Sequence, residues 1–271
     1  MVDIHEVIVT GITIRLAEFP ALNALVAQYS EPCNALESRW GCCSKDERLR
    51  AILYQARRDL APDNHAIRAL RCRLSAYFLE ATTGMRTRDS STELERDLCA
   101  EMVGSNASAF QFTSQWVESV AGRIGQRIRT TDAIGSSDRD GHHVVYPNAQ
   151  MIAERLEAIS IYASSATQWP VLQAIVTSSL VLNLHPLTDG NGRLARLSFN
   201  ALASRHNSSS FYLPLFELAE ASAGGWIFAT RMAWQRNDWQ ALITFFAASI
   251  ALFSPSGNAR AIDRSSGRVD A

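Results

Sequence analysis

A histidine, an aspartate, two glycines flanking an asparagine, and two arginines fall within the stretch HPLTDGNGRLAR, His185 to Arg196. Gly190 and Gly192 let the backbone turn tightly through left-handed conformations, and the next helix is predicted to begin near Asn191 or Gly192. A glycine loop that feeds a helix N-terminus aims several unpaired N–H groups at one point, which makes an anion site. Arg193 and Arg196 are three residues apart and share one helix face. Positive side chains in the first turns oppose the helix dipole, so an anion is expected to offset them. A polyphosphate would do so, because guanidinium forks match phosphate oxygens. Asp189 beside phosphates suits a divalent cation such as Mg²⁺, which takes one or two carboxylates plus phosphate oxygens. His185 is then placed as a general base.

These residues need rigid neighbours. VLQAIVTSSLVLNL (171–184) is apolar on nearly all sides and reads as a buried helix, with Pro170 suited to its start and Pro186 discouraging its continuation past His185. RLARLSFNALAS reads as the next helix, with Leu194, Leu197 and Ala201 on one side. Upstream, polar TTDAIGSSDRDG (130–141) leads into HHVVYP (142–147), a pattern for a hairpin-like flap with a wide loop. Asn148 is the predicted cap of a helix whose buried face carries Ile152, Leu156, Ile159 and Tyr162. Downstream, GWIFATRMAWQR and DWQALITFFAASIALF read as two helices joined near Asn237 and Asp238. The first hundred residues look mostly helical, with faces at Leu49, Ile52 and Leu53 and at Ile67, Leu70, Leu74 and Phe78. Within them VIVTGITI (7–14) has strand character and TTGMRTRDSS (82–91) loop composition. The polar tail 254–271 is predicted to be disordered.

A chain of 271 residues with 47% hydrophobic and 20% charged residues has the composition of an ordinary globular protein. Its net charge of −1 supplies no basic excess for phosphate-backbone binding and argues against nucleic acid as a partner. Cysteines 33, 42, 43, 72 and 99 are odd in number and form no C-x-x-C, a spacing that fits neither a disulfide framework nor a zinc site. The N-terminus is a poor signal peptide. No apolar run reaches the roughly 20 residues of a spanning helix, so no membrane partner is expected. A cytoplasmic location is the expectation, with leaderless secretion as an effector left open.

GNGRLA alone is a weak match to a dinucleotide fingerprint, and Pro186 and Asp189 stand where a strand should run straight into the glycines. The whole of HPLTDGNGRLAR resembles the signature of the Fic family: histidine, proline and an aromatic residue, then an acid, then G-N-G-R and a second arginine. The departure is Leu187, where the family usually has phenylalanine, a side chain expected to pack inward. The likeness extends over roughly residues 106–253, from the flap-like segment to the tryptophan-bearing NDWQALITFF.

The resemblance implies an all-α fold, a Fic-type helical core with a short β-hairpin flap, preceded by an N-terminal helical region. It divides the chain into a regulatory N-terminal region (1–105), a catalytic core (106–253) and the tail (254–271). It implies a protein adenylyltransferase that moves AMP from ATP to a Ser, Thr or Tyr hydroxyl of a target protein. His185 would be the base, Asp189 would hold Mg²⁺, Gly190, Asn191 and Gly192 would hold the anion, and Arg193 and Arg196 the outer phosphates. Val144, Val145 and Tyr146 of the flap would dock the target by strand addition. The alternatives are transfer of UMP, phosphocholine or phosphate, or a non-catalytic binding module. Gly192 argues against the kinase-like members, which carry lysine there. Many members restrain themselves through a Ser/Thr-x-x-x-Glu-Gly/Asn helix whose glutamate pairs with the second motif arginine. No glutamate here is followed by Gly or Asn. A degenerate version in the N-terminal half is expected, with Glu80 the first candidate and Glu95, four residues after Ser91, the second. Failing these, restraint would come from a separate inhibitor protein.

Overall fold

The computed structural model describes residues 11–43, 92–104, 106–135, 143–205, 211–222 and 225–254. The predicted helix faces around Leu49 and Ile67, the 82–91 stretch, Glu80 and the tail beyond Ser254 lie outside the described residues. The elements in chain order are β1 (Gly11–Thr13), α1 (Leu22–Gln28), α2 (Ser30–Trp40), α3 (Thr92–Val103), α4 (Ser114–Arg123), β2 (His143–Val145) and α5 (Ile152–Ser164), followed by α6 (Pro170–Leu184), α7 (Asn191–Ser204), α8 (Leu215–Ala221), α9 (Gly225–Arg236) and α10 (Gln240–Ala251). The architecture is all-α, as the sequence predicts, and no described helix is long and apolar enough to cross a membrane.

The buried helix of the sequence is α6. Pro170 occupies its first turn, and every side chain from Val171 to Leu184 is buried. A helix apolar all round must be covered all round, and α2, α5, α7 and α10 supply the cover. No side chain of its own caps α6. Instead Glu37 of α2 accepts the N–H groups of Val171 (3.2 Å) and Leu172 (3.0 Å), which satisfies two of the orphan donors and places a carboxylate at the positive helix end. Trp40, the last residue of α2, donates its indole N–H to the Ala203 carbonyl at the end of α7 (2.9 Å). The described part of the N-terminal region thus shares one core with the rest, with Trp40 packed edge-on against Phe199 and Phe211.

Three local expectations meet their structural counterparts. Asn148 caps a short 3₁₀ turn, accepting the N–H of Gln150 (2.8 Å), and α5 follows with Ile152, Leu156 and Ile159 buried. The VIVTGITI stretch contributes β1. Asn237 turns the chain between α9 and α10 in a left-handed conformation (φ 53°). Two findings go further than the pattern. Helix α8 was not visible as a separate periodic segment. Helix α7 buries Leu194 through Ala203 on all sides, because α3 and α4 cover the faces that α6 leaves open.

Candidate active site: the turn between α6 and α7

The α6 helix stops at His185, whose backbone is left-handed (φ 54°, ψ 56°). Only a few per cent of non-glycine residues adopt this conformation, at a cost of about 1 kcal/mol. The turn that follows is clamped from two sides. Asn191 accepts the Leu187 N–H (2.8 Å) and donates to the Leu187 carbonyl (2.9 Å). From outside, residues 127–129 run against it: Thr188 N–H donates to the Arg127 carbonyl (3.1 Å), Arg129 N–H to that of Pro186 (2.9 Å), and Ile128 pairs with Leu187. Leu187 is fully buried, so the inward-packing role expected of this position is filled by a smaller side chain.

Gly190 has φ 78°, and a Cβ there would lie 2.9 Å from Ile124 Cδ1. Glycine is therefore favoured by the left-handed conformation, and any side chain would also have to displace the end of the Ile124 side chain. At Gly192 a Cβ would lie 3.3 Å from Arg196 Nη1, so this glycine lets the guanidinium pass close to the backbone. Helix α7 begins at Asn191, and its first N–H groups have no intrahelical acceptor. The Asn191 side chain points inward to clamp the turn. Only its backbone is left for an anion, a narrower role than the one the resemblance implies.

His185 is partly buried, and its ring stacks on that of Tyr146 with centroids 3.6 Å apart and planes 17° from parallel. Burial pushes its pKa down from 6.5 to about 4, and the nearby Arg129 cation acts in the same direction. Asp189 and the Leu182 carbonyl oppose the shift, although Nδ1 makes no well-formed hydrogen bond among the described residues. The imidazole is neutral at pH 7, the form a base needs.

The two arginines separate. Arg193 is partly exposed. Arg196 is buried, and its Nε donates to Glu95 Oε2 (2.9 Å) while Nη2 pairs with Glu95 Oε1. Its guanidinium also lies 5.0 Å from the ring centroid of Phe216. Burial works against the Arg196 charge, but Glu95, with Tyr212 and Glu217, more than offsets it and raises the pKa above its ordinary value. The Tyr212 hydroxyl donates to Glu95 Oε2 (3.3 Å). In this structure the anion on Arg196 is a carboxylate of α3, as expected of an inhibitory glutamate. Glu95, the second of the two candidate glutamates, reaches Arg196, and Glu80 lies outside the described residues.

Asp189 is exposed on the turn, and its Oδ1 accepts the Gly190 N–H (2.7 Å). Among the described residues no group of three or more His, Cys, Asp or Glu side chains could hold a metal unaided. A single carboxylate beside an anion site fits a cation shared with nucleotide phosphates, the arrangement Mg²⁺ commonly takes.

The flap differs in one respect from the expectation. Val145 bridges Ile134 in antiparallel fashion, Gly135 N–H donates to the Val144 carbonyl (2.7 Å) and Tyr146 N–H to that of Ala133 (3.0 Å). That is the expected hairpin. The other edge of β2 is not open: β1 pairs with it in parallel, Gly11 opposite His143, Ile12 opposite Val144 and Thr13 opposite Val145. The Ile14 N–H continues the pairing to the Val145 carbonyl (2.7 Å), and Asn183 of α6 holds the strand's continuation through Ala17 N–H (2.9 Å) and the Arg15 carbonyl (3.1 Å). An edge read as free for strand addition already carries a strand of this chain.

Two residues at the site had no signal in the sequence. Arg129 is one of three arginines in RIGQRIR (123–129) with nothing to single it out, and Tyr212 follows shortly after a run of serines. Neither belongs to a periodic pattern or a motif.

Comparison with known proteins agrees with this geometry. Residues 109–203 match the sequence profile of the Fic/DOC family. No curated protein matches the chain. Among solved structures it is similar to a Fic-domain-containing signaling protein from Bacteroides thetaiotaomicron (14% identity, 84% of this chain and 97% of that one, TM-score 0.50). It is also similar to Fic-1 from C. elegans (17%, 90% and 75%, TM-score 0.50). A third similar structure is a Fic family protein from Desulfovibrio desulfuricans (14%, 93% and 77%, TM-score 0.51). At these identities the structural likeness is one of fold, while the profile match spans the flap, α5, α6 and the motif turn. The chain carries a Fic/DOC-family domain over residues 109–203.

Proposed function

We propose that this protein is an adenylyltransferase that moves AMP from ATP to a hydroxyl of a protein target, and that Glu95 restrains it. The observation that carries the reading is a juxtaposition within one turn. An imidazole kept neutral by burial stands four residues before Asp189 and six before Asn191, where α7 and its N–H groups without intrahelical acceptors begin.

In this reading ATP lays its phosphates on the N-terminus of α7, with Arg193 on an outer phosphate. Asp189 would hold Mg²⁺, which when bound neutralises phosphate charge. His185 takes the proton of the incoming hydroxyl, whose oxygen forms a bond to the α-phosphorus. The bond from that phosphorus to the bridging oxygen breaks, and pyrophosphate leaves with the electron pair. Catalysis is then positioning and charge stabilisation. Arg196 completes the phosphate site only when Glu95 releases it, so the buried pair supports a restrained resting state. Ser91, Thr92, Glu93, Leu94 and Glu95 supply the spacing of an inhibitory segment, with Arg96 in place of the usual Gly or Asn.

The test incubates wild type and Glu95→Gly with labelled ATP, UTP, GTP or CDP-choline and reads intact mass. An adenylate increment from ATP, larger in Glu95→Gly, is the expected result. A uridylate, phosphate or phosphocholine increment would replace AMP with another group. No increment from any donor in either protein would favour a non-catalytic binding module.

A further inference from the structure

We propose that Arg129 is the positioning residue of this site: one buried guanidinium fixes the backbone of His185 and the segment that carries Tyr146, and so sets the direction of the imidazole. The proposal rests on His185 being the base.

Arg129 is 3% exposed. Its Nε donates to the His185 carbonyl (2.6 Å), Nη1 to that of Thr131 (3.1 Å), and Nη2 to that of Leu184 (3.2 Å) and also to that of Pro147. The four acceptors lie on three segments: the end of α6, the first arm of the flap, and the strand exit one residue after Tyr146. A buried guanidinium is costly unless its donors are filled, and here all three nitrogens are used on backbone oxygens. Two of those oxygens belong to the end of α6, where carbonyls lack intrahelical partners and the helix dipole is negative.

The consequence falls on His185. Its left-handed backbone is held through its own carbonyl and the one before it, both on the same guanidinium. The Tyr146 ring lies flat on the imidazole at 3.6 Å, and Tyr146 is tethered through Pro147 to the same cation. Arg129 therefore ties base and flap together from behind without touching the phosphate site. Asp132 acts on Arg129 electrostatically, but among the described residues no carboxylate forms an ion pair with it. A lysine keeps the charge but offers its donors from one point and cannot span three segments.

The experiment compares wild type, Arg129→Lys and Arg129→Gln, each in the Glu95→Gly background, after checking folding by circular dichroism and melting. In self-labelling with ATP, kcat is expected to fall about 100-fold in both variants, the scale of a misplaced catalytic group. The KM for ATP should change less than threefold, because the phosphate site is intact. A second readout does not depend on activity. In the wild type the His185 ring protons should show an upfield ring-current shift from Tyr146, abolished by Tyr146→Leu as the assignment control and lost in Arg129→Lys. A third needs no variant: the Arg129 Nε–H of the wild type should exchange slowly with solvent. Near-wild-type kcat with a retained ring-current shift in Arg129→Lys would overturn the proposal, as would a fast-exchanging Nε–H if the variants fail to fold. Loss of the shift in a protein that shows no transfer at all would uphold the positioning role and refute the transferase reading.

Discussion

Arg196 and Glu95 lie 101 residues apart in the chain and meet in a buried, two-pronged ion pair, with the Tyr212 hydroxyl on the same carboxylate. Arg196 belongs to the motif helix and Glu95 to α3, so the pair joins the motif chemistry of one element to a helix that carries none of it. Removing Glu95 leaves the guanidinium buried without its main partner. Glu95→Gly is expected to raise transfer from ATP several-fold and to lower stability by about 3 kcal/mol, less whatever Glu217 restores. Self-labelling and urea unfolding measure the two effects on one preparation. A variant that loses stability and gains no activity would make the pair purely structural.

His185→Ala is expected to abolish transfer while ATP binding by calorimetry stays within threefold of wild type, since the imidazole works on the target hydroxyl. The pH dependence follows from burial, which holds the folded imidazole at about 4 against 6.5 for a free one. The acid limb of kcat/KM should therefore fall near pH 4. The unfolded chain takes up this proton first, so the stability associated with neutral His185 is intact above pH 6.5 and is lost as pH falls toward 4. An acid limb at pH 6.5 would contradict the buried, neutral base.

Glu37 should show the opposite dependence. Burial raises its pKa from 4.5 to about 7, outweighing the two N–H groups of α6 that favour the carboxylate. The folded state holds this proton more tightly, so the associated stability is present below pH 4.5 and is lost as pH rises through 7. Glu37→Gln keeps an acceptor for the α6 terminus without the charge. Melting temperatures from pH 4.5 to 8 should fall more steeply in wild type than in this variant, and parallel curves would show that Glu37 titrates normally.

Gly190→Ala tests the turn. The left-handed backbone and the 2.9 Å approach to Ile124 Cδ1 both oppose a side chain. A loss of about 1–2 kcal/mol is expected, with weaker ATP binding because the N–H groups of α7 are re-aimed. Adding Ile124→Ala should recover the steric part and leave the conformational part. Full recovery would mean that φ at this position relaxes freely.

What the sequence determined by itself was local. Pro170 and an unbroken apolar run define α6, Pro186 prevents its simple extension beyond His185, and Gly190 starts α7, because each effect acts within a few bonds of the residue responsible. The order of the motif therefore carries the left-handed backbone at Gly190 and the open N-terminus of α7, whereas Gly192, expected to turn in the same way, lies inside the helix and His185 takes the second left-handed position. The tertiary structure decided every pairing across the chain. The sequence put Glu80 ahead of Glu95 as a partner for Arg196, whereas the contact with Glu95 depends on where α3 packs on α7, which no local pattern records. Nor do the β-branched residues of HHVVYP reveal that β1 already lines β2, because they mark an extended segment and leave open which strand lies alongside. Arg129 shows the same limit: its acceptors are backbone carbonyls, which every residue possesses, so only the folded chain could bring those four to one guanidinium.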